Sequence, residues 1–425
     1  MPKPKMTVAI VTTYPPGQGS LNEYAYHFVR CLRQKQEVRE IILLTDSLPE
    51  GRSYPLMGAV DAVPIRIVPC WRFGAWTNPL RILAAAWKVK PDIVLFNLQF
   101  ATFGDRKIPA ALGLLTPVCA RVLGFPSVVL LHHLMEKIDL KSAGFGSRIE
   151  QVIRFFGTML TRCLLMTNLV VLTMPQYVEF LARKYGVNNV VLAPHGAFVE
   201  TPSAIHAPST NAEDKHVLLT FGKFGTYKRV EQLLDAFVLL QTQQRPALEL
   251  VIAGTDSPNA PGYLDAMRRR YAAVPNVTFT GYVPEAQVAS VFNAATIVVF
   301  PYISTTGSSG VLHQAGEYGK AVVLPHIGDF AEVIAEEGYR GGFFEVGSVQ
   351  SLAGAIAALL DNPQERAVMG QHNYSAAHSL PISDVVDWYL VHFQYLLDQR
   401  QRRKAHASTR ISAKHGYSSR AHWTV

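Results

Sequence analysis

The sequence predicts an α/β protein built from two doubly wound domains, on three observations. Short β-branched and apolar runs alternate with amphipathic helical stretches along almost the whole chain. The alternation is interrupted once, around residues 199–215, by the Pro-, Ser- and small-polar-rich run TPSAIHAPSTNAEDK, which reads as a linker. A chain of 425 residues, 49% of them hydrophobic, is long enough to bury two cores.

The first domain is expected over 1–198. Thr7 to Thr12 reads as a buried strand, followed by a loop with Pro15, Pro16, Gly17 and Gly19. That loop lies at the C-terminal end of the strand, where open α/β sheets place ligands. Ser20-x-x-Glu23 has the form of a capping box, and Leu21, Tyr24, Ala25, Phe28, Val29 and Leu32 form the apolar stripe of the next helix. Further strands fit Glu40–Leu44, Asp92–Phe96, Ser127–Leu131, Leu169–Thr173 and Asn189–Ala193, with Pro175 at the first turn of a helix.

The second domain is expected over 216–383. His216–Phe221, Leu248–Ala253, Val277–Thr280, Thr296–Phe300 and Ala321–Leu324 read as strands. Val230, Leu233, Leu234, Phe237 and Val238 mark one of the intervening helices, and Leu352–Leu360 marks another. An amphipathic helix over 384–398, with Val385, Trp388, Tyr389 and Phe393 on its apolar side, is expected to cross back to the first domain. Residues 399–425 carry Arg400, Arg402, Arg403, Lys404, Arg410, Lys414 and Arg420 and no acid, so seven of the eight net positive charges sit in a tail expected to be disordered.

A second basic stretch, 71–170, holds twelve Lys/Arg against five Asp/Glu, with Trp71, Trp76, Trp87, Phe155 and Phe156 among the cations. It fits core packing, and it fits a peripheral face for an anionic membrane surface. Cys31, Cys70, Cys119 and Cys163 form no CxxC pair and read as reduced thiols of a cytoplasmic protein. The apolar part of the N-terminus is too short for a signal peptide, and no later apolar run reaches the roughly 20 residues of a membrane span.

Four constellations carry chemistry. The first, Phe221-Gly222-Lys223-Phe224-Gly225-Thr226-Tyr227-Lys228, ends a strand in a glycine loop with two lysines, the next helix being expected to begin near Lys228. Two ammonium groups beside a helix start suit a dianion; each alone also suits a solvated surface. The second, Thr306-Gly307-Ser308-Ser309-Gly310, follows strand Thr296–Phe300 and opens a short helix whose backbone N–H groups can hold phosphate, although a plain βα turn has the same composition. The third is the N-terminal loop, Tyr14 to Ser20, with Gly17 and Gly19, which is not GxGxxG. The fourth is His132-His133 at a strand end, which suits a sugar hydroxyl, a proton transfer or a structural role. No metal-ligand spacing, Walker A loop, GxSxG elbow or HExxH motif is present, so no metal and no cofactor are expected.

In order and spacing, these motifs resemble the glycosyltransferases of the GT-B fold, most closely family 4, from Thr7 to about Leu397. GKFGTYKRVEQLLDAF is similar to that family's basic loop and following helix, LELVIAGTDS to the next strand, and NVTFTGYVPEAQVASVFNAATIVVFPY to the segment after it. The resemblance implies two Rossmann-like doubly wound domains facing across a cleft, an acceptor in the first and a nucleotide-diphosphate sugar in the second. It places Lys223 and Lys228 on the donor phosphates, with Gly222 beside them, and Thr306, Gly307, Ser308, Ser309 and Gly310 around the diphosphate. Tyr282 and Val283 fall beside the base, His132 near the donor sugar, and Gly17 and Gly19 in the acceptor-side loop. It implies retention of configuration by front-face attack, without a metal, in cell-surface polysaccharide or glycoconjugate synthesis, and no nucleic-acid partner. One departure stands out: Thr306 and Gln314 occupy the places of the two glutamates of the family's E-x7-E motif. That loss supports an alternative, a non-catalytic nucleotide-sugar-binding or scaffold protein of the same fold. An epimerase of this fold has less support, because paired carboxylates for its proton chemistry are missing.

Overall fold

The computed structural model of the chain describes residues 4–17, 19, 21–54, 62–104, 106–134, 136, 147–198, 215–243, 247–257, 260–304 and 309–418. These residues divide into two compact units, one from 1–136, 153–193 and 383–425, the other from 137–152 and 194–382.

The first unit holds β1 (Met6–Val11), β2 (Val38–Asp46), β3 (Ile65–Trp71), β4 (Ile93–Leu98), β5 (Ser127–Leu131), β6 (Leu169–Leu172) and β7 (Val190–Leu192). They form one sheet in the order β3-β2-β1-β4-β5-β6-β7, every pairing parallel. The inner strands β1, β4, β5 and β6 are buried along their whole length. A parallel sheet covered on both faces demands such unbroken apolar runs, and each fully buried Val, Leu or Ile contributes about 1.5–3 kcal/mol. The edge strand β3, IRIVPCW, was not legible as a strand: it carries Pro69 and Arg66 and is only partly buried. Its helices are α1 (Asn22–Leu32), α2 (Asn78–Val89), α3 (Lys107–Val122), residues 153–164 of α4 (Ser147–Leu164) and α5 (Pro175–Tyr185). α1 starts after Leu21 without a side-chain cap; Ser20 of the expected capping box lies outside the described residues.

The second unit holds β8 (Lys215–Phe224), β9 (Ala247–Asp256), β10 (Val277–Gly281), β11 (Ile297–Val299), β12 (Ala321–Pro325) and β13 (Gly342–Phe344). The order is β10-β9-β8-β11-β12-β13, again wholly parallel. Between them run α6 (Glu231–Gln241), α7 (Tyr263–Arg270), α8 (Glu285–Ala294), α9 (Gly310–Glu317) and α10 (Gly328–Glu336), followed by α11 (Val349–Asp361) and α12 (Pro363–Ser379). One core face packs Leu218, Leu250, Ile252 and Val299 against α6 and α11; the other packs Leu219, Val298, Val322 and Leu324 against α8 and α9. Linker residues 199–214 lie outside the described residues.

The final helix, α13, runs from Ile382 to Ser418. Within the first unit, Tyr389 meets Phe28 edge-on at 5.2 Å and Asp387 pairs with Lys35 at 2.6 Å. The expectation of a disordered tail from 399 is corrected: the helix continues through Arg400–Lys404 to Ser418, and residues 419–425 lie outside the described residues. Residues 399–405, QRQRRKA, are all good helix formers with no Gly or Pro among them, and they extend a helix already nucleated by packing.

Candidate functional site

In the second unit the chain winds outward from β8 to β9 and β10 on one side, and to β11, β12 and β13 on the other. The switch point therefore lies at the C-terminal ends of β8 and β11, where the loops diverge and leave a crevice. The loop after β8 is Gly225–Val230; that after β11 is Phe300–Ser309, of which 305–308 lie outside the described residues. So Thr306, Gly307 and Ser308 of the expected diphosphate loop have no described structure, while Ser309 and Gly310 open α9.

The two loops are laced together. Lys228 and Tyr302 form an antiparallel bridge, Arg229 N–H donates to Pro301 O at 3.0 Å, and Ile303 N–H donates to Tyr227 O at 2.9 Å. This corrects the expectation that a helix begins near Lys228: α6 starts three residues later, at Glu231. The bridge bonds are made by the residues on either side of Lys228, whose own carbonyl accepts from Gly225 N–H at 2.9 Å. The loop is pinned further by Tyr263, whose hydroxyl accepts from Val230 N–H at 2.7 Å and donates to Glu231 Oε2 at 2.5 Å.

Lys228 is buried, at 8% exposure. Its ammonium lies 4.9 Å from the Tyr302 ring centre and 5.8 Å from that of Tyr227. Among the described residues no carboxylate pairs with it. Ring faces compensate a buried cation only in part, so an anion that reached this ammonium would be favoured by it. Gly222 makes the arrangement sterically possible: at φ +135°, a Cβ there would sit 2.7 Å from Lys228 Nζ. Gly254 on the neighbouring strand is more tightly constrained, since its Cβ would fall 1.8 Å from the backbone oxygen of Gly222. Lys223 lies in β8 opposite Thr255, half-buried and one residue from Gly222. Loop and strand thus bring Gly222, Lys223 and Lys228 to one strand end.

Ser309 caps α9 without a side-chain hydrogen bond to the helix, its hydroxyl lying 3.4 Å from Tyr302 Oη. Gln314 is buried at 3% exposure on α9. Tyr282 and Val283 follow Gly281 at the end of β10, two strands from β8 on the same edge, with Tyr282 76% exposed.

Sequence reasoning missed the imidazole pair behind Gly310. His195 and His313 stack at 5.0 Å with planes 7° apart, both buried. The edge of His195 covers Gly310, 3.5 Å from where a Cβ would stand, and its Nδ1–H donates to Gly196 O at 3.0 Å. His313 Nδ1 meets Tyr339 Oη at 2.9 Å, and its Nε2 lies 3.5 Å from Glu337 Oε2. Burial pushes His195 down to about 4 and His313 well below the usual range, so both rings are neutral near pH 7. The pairing joins residues 118 positions apart, and nothing local signals it.

The remaining expected residues belong to the first unit. Gly17 follows a turn closed by its N–H on Tyr14 O at 2.9 Å. Gly19 has no room for a side chain, because a Cβ would lie 2.2 Å from Thr13 Oγ1. His132 is buried after β5, edge-on to Tyr24 at 5.0 Å, its Nε2 2.7 Å from Asn97 Oδ1. Asn97 Nδ2 donates to Thr12 Oγ1 at 3.0 Å, which leaves Oδ1 to accept and so places the His132 proton on Nε2. Asp46, unnoticed in the sequence, closes β2 beside Gly17 and accepts from Tyr54 Oη at 3.0 Å, its carboxyl raised by burial. Among the described residues, no group of three or more His, Cys, Asp or Glu is placed to hold a metal ion.

Residues 203–376 match the sequence profile described as Glycosyl transferases group 1. The matched residues fall within the second unit. No curated protein matches the chain. Among solved structures, sucrose-phosphate synthase from Thermosynechococcus elongatus is similar at 16% identity and a TM-score of 0.71, over 93% of this chain and 100% of that one. HepE of Anabaena, solved in complex with UDP-glucose, is similar at 14% identity and a TM-score of 0.63, over 92% and 100%. The UDP-forming α,α-trehalose-phosphate synthase from Burkholderia xenovorans is similar at 11% identity and a TM-score of 0.65, over 91% and 100%. These likenesses establish the fold as GT-B, two parallel-sheet Rossmann-like units.

Proposed function

We propose that the protein transfers a sugar from a nucleotide-diphosphate sugar, held by the second unit, to a glycan or lipid-linked acceptor held by the first. The observation that carries this reading is Lys228: a buried cation with ring faces but no paired carboxylate among the described residues, at the switch point of a glycosyltransferase group 1 domain. In this reading Lys228 and Lys223 neutralise the charge that grows on the leaving diphosphate, and the Ser309–Gly310 amides at the start of α9 hold its oxygens. Gln314 hydrogen-bonds the ribose through its amide, Tyr282 and Val283 face the base, and His132 meets the donor sugar. Transfer proceeds with retention, the leaving phosphate taking the acceptor proton, and without a metal. The pathway is assembly of a cell-surface polysaccharide or glycoconjugate. HepE, whose structure holds UDP-glucose, makes a UDP-sugar the first donor to try.

A second reading, a binding or scaffold protein without turnover, is favoured by one observation. Gln314 places a neutral amide, buried, where a carboxylate is expected. A thermal-shift panel of UDP-, GDP-, ADP- and dTDP-sugars, followed by transfer assays on the stabilising donor, separates the two. Stabilisation with transfer supports the enzyme, stabilisation without transfer over a broad acceptor panel supports the scaffold, and no stabilisation by any donor contradicts both.

A further inference from the structure

The exposed apolar side chains are unevenly spread. Of eighteen large hydrophobic residues exposed among those described, eleven fall between Phe73 and Met166 in the first unit. Trp76, Leu80 and Trp87 stand 71%, 72% and 60% exposed. Leu80, Ala84 and Trp87 recur at helical spacing along the outer side of α2, with Trp76 in the turn just before it, while Asn78, Ile82 and Ala86 recur on the side buried against the unit. α3 lies alongside. Its start is tied to that of α2 by Gly74 N–H donating to Phe103 O at 2.8 Å, and the far ends meet where Trp87 packs edge-on to Phe125 at 6.3 Å. α3 and its flanks add Ile108, Val122 and Leu123, all exposed. The two helices therefore present one apolar surface, with tryptophans at both ends of α2.

The charge on this surface has one sign. Arg72, Arg81, Lys88, Lys90, Arg106, Lys107 and Arg121 are exposed around it. Among the described residues of 72–123 the one acid is Asp92, whose carboxylate accepts from Thr7 N–H at 2.8 Å and faces Arg39 at 3.5 Å. Asp105 lies outside the described residues. Arg81 and Lys88 sit one position after Leu80 and Trp87, so they flank the apolar stripe along one side.

We infer that the α2–α3 face is the surface by which the protein lies on an anionic lipid bilayer, which brings a lipid-linked acceptor to the first unit; that last step rests on the transferase reading. A bilayer surface asks for this combination: aliphatic side chains that enter the acyl boundary, indoles at headgroup depth, and cations with long stems that reach the phosphates. A nucleic acid would use the cations and the indole faces but has no place for Leu80, Ile108, Val122 and Leu123. A protein partner would select against lysine within the patch.

The test is flotation of the full chain with vesicles of phosphatidylcholine, with and without phosphatidylglycerol, at two salt concentrations. Wild type binds the phosphatidylglycerol vesicles, less tightly as salt rises, and its tryptophan emission is quenched by brominated lipid. Arg81→Glu/Lys88→Glu lowers vesicle affinity on the order of tenfold or more, taking roughly 1 kcal/mol per surface cation. Trp76→Ser/Trp87→Ser removes the residual binding at high salt. Thermal unfolding of each variant, and its stabilisation by the donor found for the second unit, check that folding and donor binding persist. Absence of wild-type binding overturns the inference, as do equal binding to neutral vesicles, variants that float like wild type, and binding to single-stranded RNA in place of vesicles. None of these bears on donor binding, which is read separately and can fail independently.

Discussion

The two units place positive charge in opposite ways. In the second, Lys228 is buried beside tyrosine rings, its loop is bridged to the β11 loop through the residues on either side of it, and its ammonium lies 2.7 Å from where a Cβ on Gly222 would stand. In the first, Arg81 and Lys88 are exposed beside tryptophans that are also exposed. Desolvating a cation is costly, so a site that does it with no paired carboxylate among the described residues favours an anion that arrives in one position. Cations left in water cost nothing to hold and gain from many weakly positioned anions, with strong salt dependence. The first arrangement suits a diphosphate, and the second suits a charged surface.

Breaking the buried arrangement has the largest expected effect. Lys228→Ala lowers turnover by about 10²-fold or more, as expected for losing an electrostatic contact to a leaving group, measured as kcat with saturating donor. The pH response comes next. His195 and His313 have folded values below the unfolded value near 6.5, so the folded state binds fewer protons than the unfolded chain below that point. Stability is fully present above about pH 6.5 and falls as pH drops toward 4, by ~3 kcal/mol for His195 alone. His195→Asn flattens that part of the melting-temperature profile; an unchanged slope contradicts the burial argument. Gly222→Ala costs about 1–3 kcal/mol through strain at positive φ and displaces the Lys228 ammonium, so donor affinity falls together with stability. The smallest effect is Tyr263→Phe, which leaves the buried Val230 N–H without its acceptor and costs about 1–2 kcal/mol by chemical denaturation. It sharpens the comparison if it also weakens donor binding, because Tyr263 reaches the site only through the loop.

Much of this was legible in the sequence. Strand β5 lies where its apolar run places it, and the inner strands of both sheets are recognisable because burial on two faces leaves unbroken β-branched runs. Two of the four edge strands were not: β3 carries a proline and an arginine, and β13 is three residues long, whereas the edges β7 and β10 lie where their apolar runs place them. Gly222, Lys223 and Lys228 were identifiable because the loop that gathers them is contiguous. What holds them was not. The Lys228–Tyr302 bridge and the His195–His313 stack join segments far apart in the chain, which no local pattern signals. The helix expected at Lys228 starts at Glu231 for the same reason: strand-like pairing with the β11 loop outcompetes early helix initiation. In α2 the apolar residues appeared as compatible with core packing as with a surface, and only the buried stripe Asn78–Ile82–Ala86 shows which side faces out.

The most direct measurement is calorimetric titration of UDP, GDP, ADP and dTDP into wild type and Lys228→Met, which keeps the length and packing of the side chain and removes its charge. One nucleotide binds wild type, and Lys228→Met, folded to the same melting temperature within a few degrees, binds it at least about tenfold more weakly, a difference of about 1.4 kcal/mol. Equal affinity in the two proteins contradicts the account, because the buried ammonium would then not be the group that receives the diphosphate.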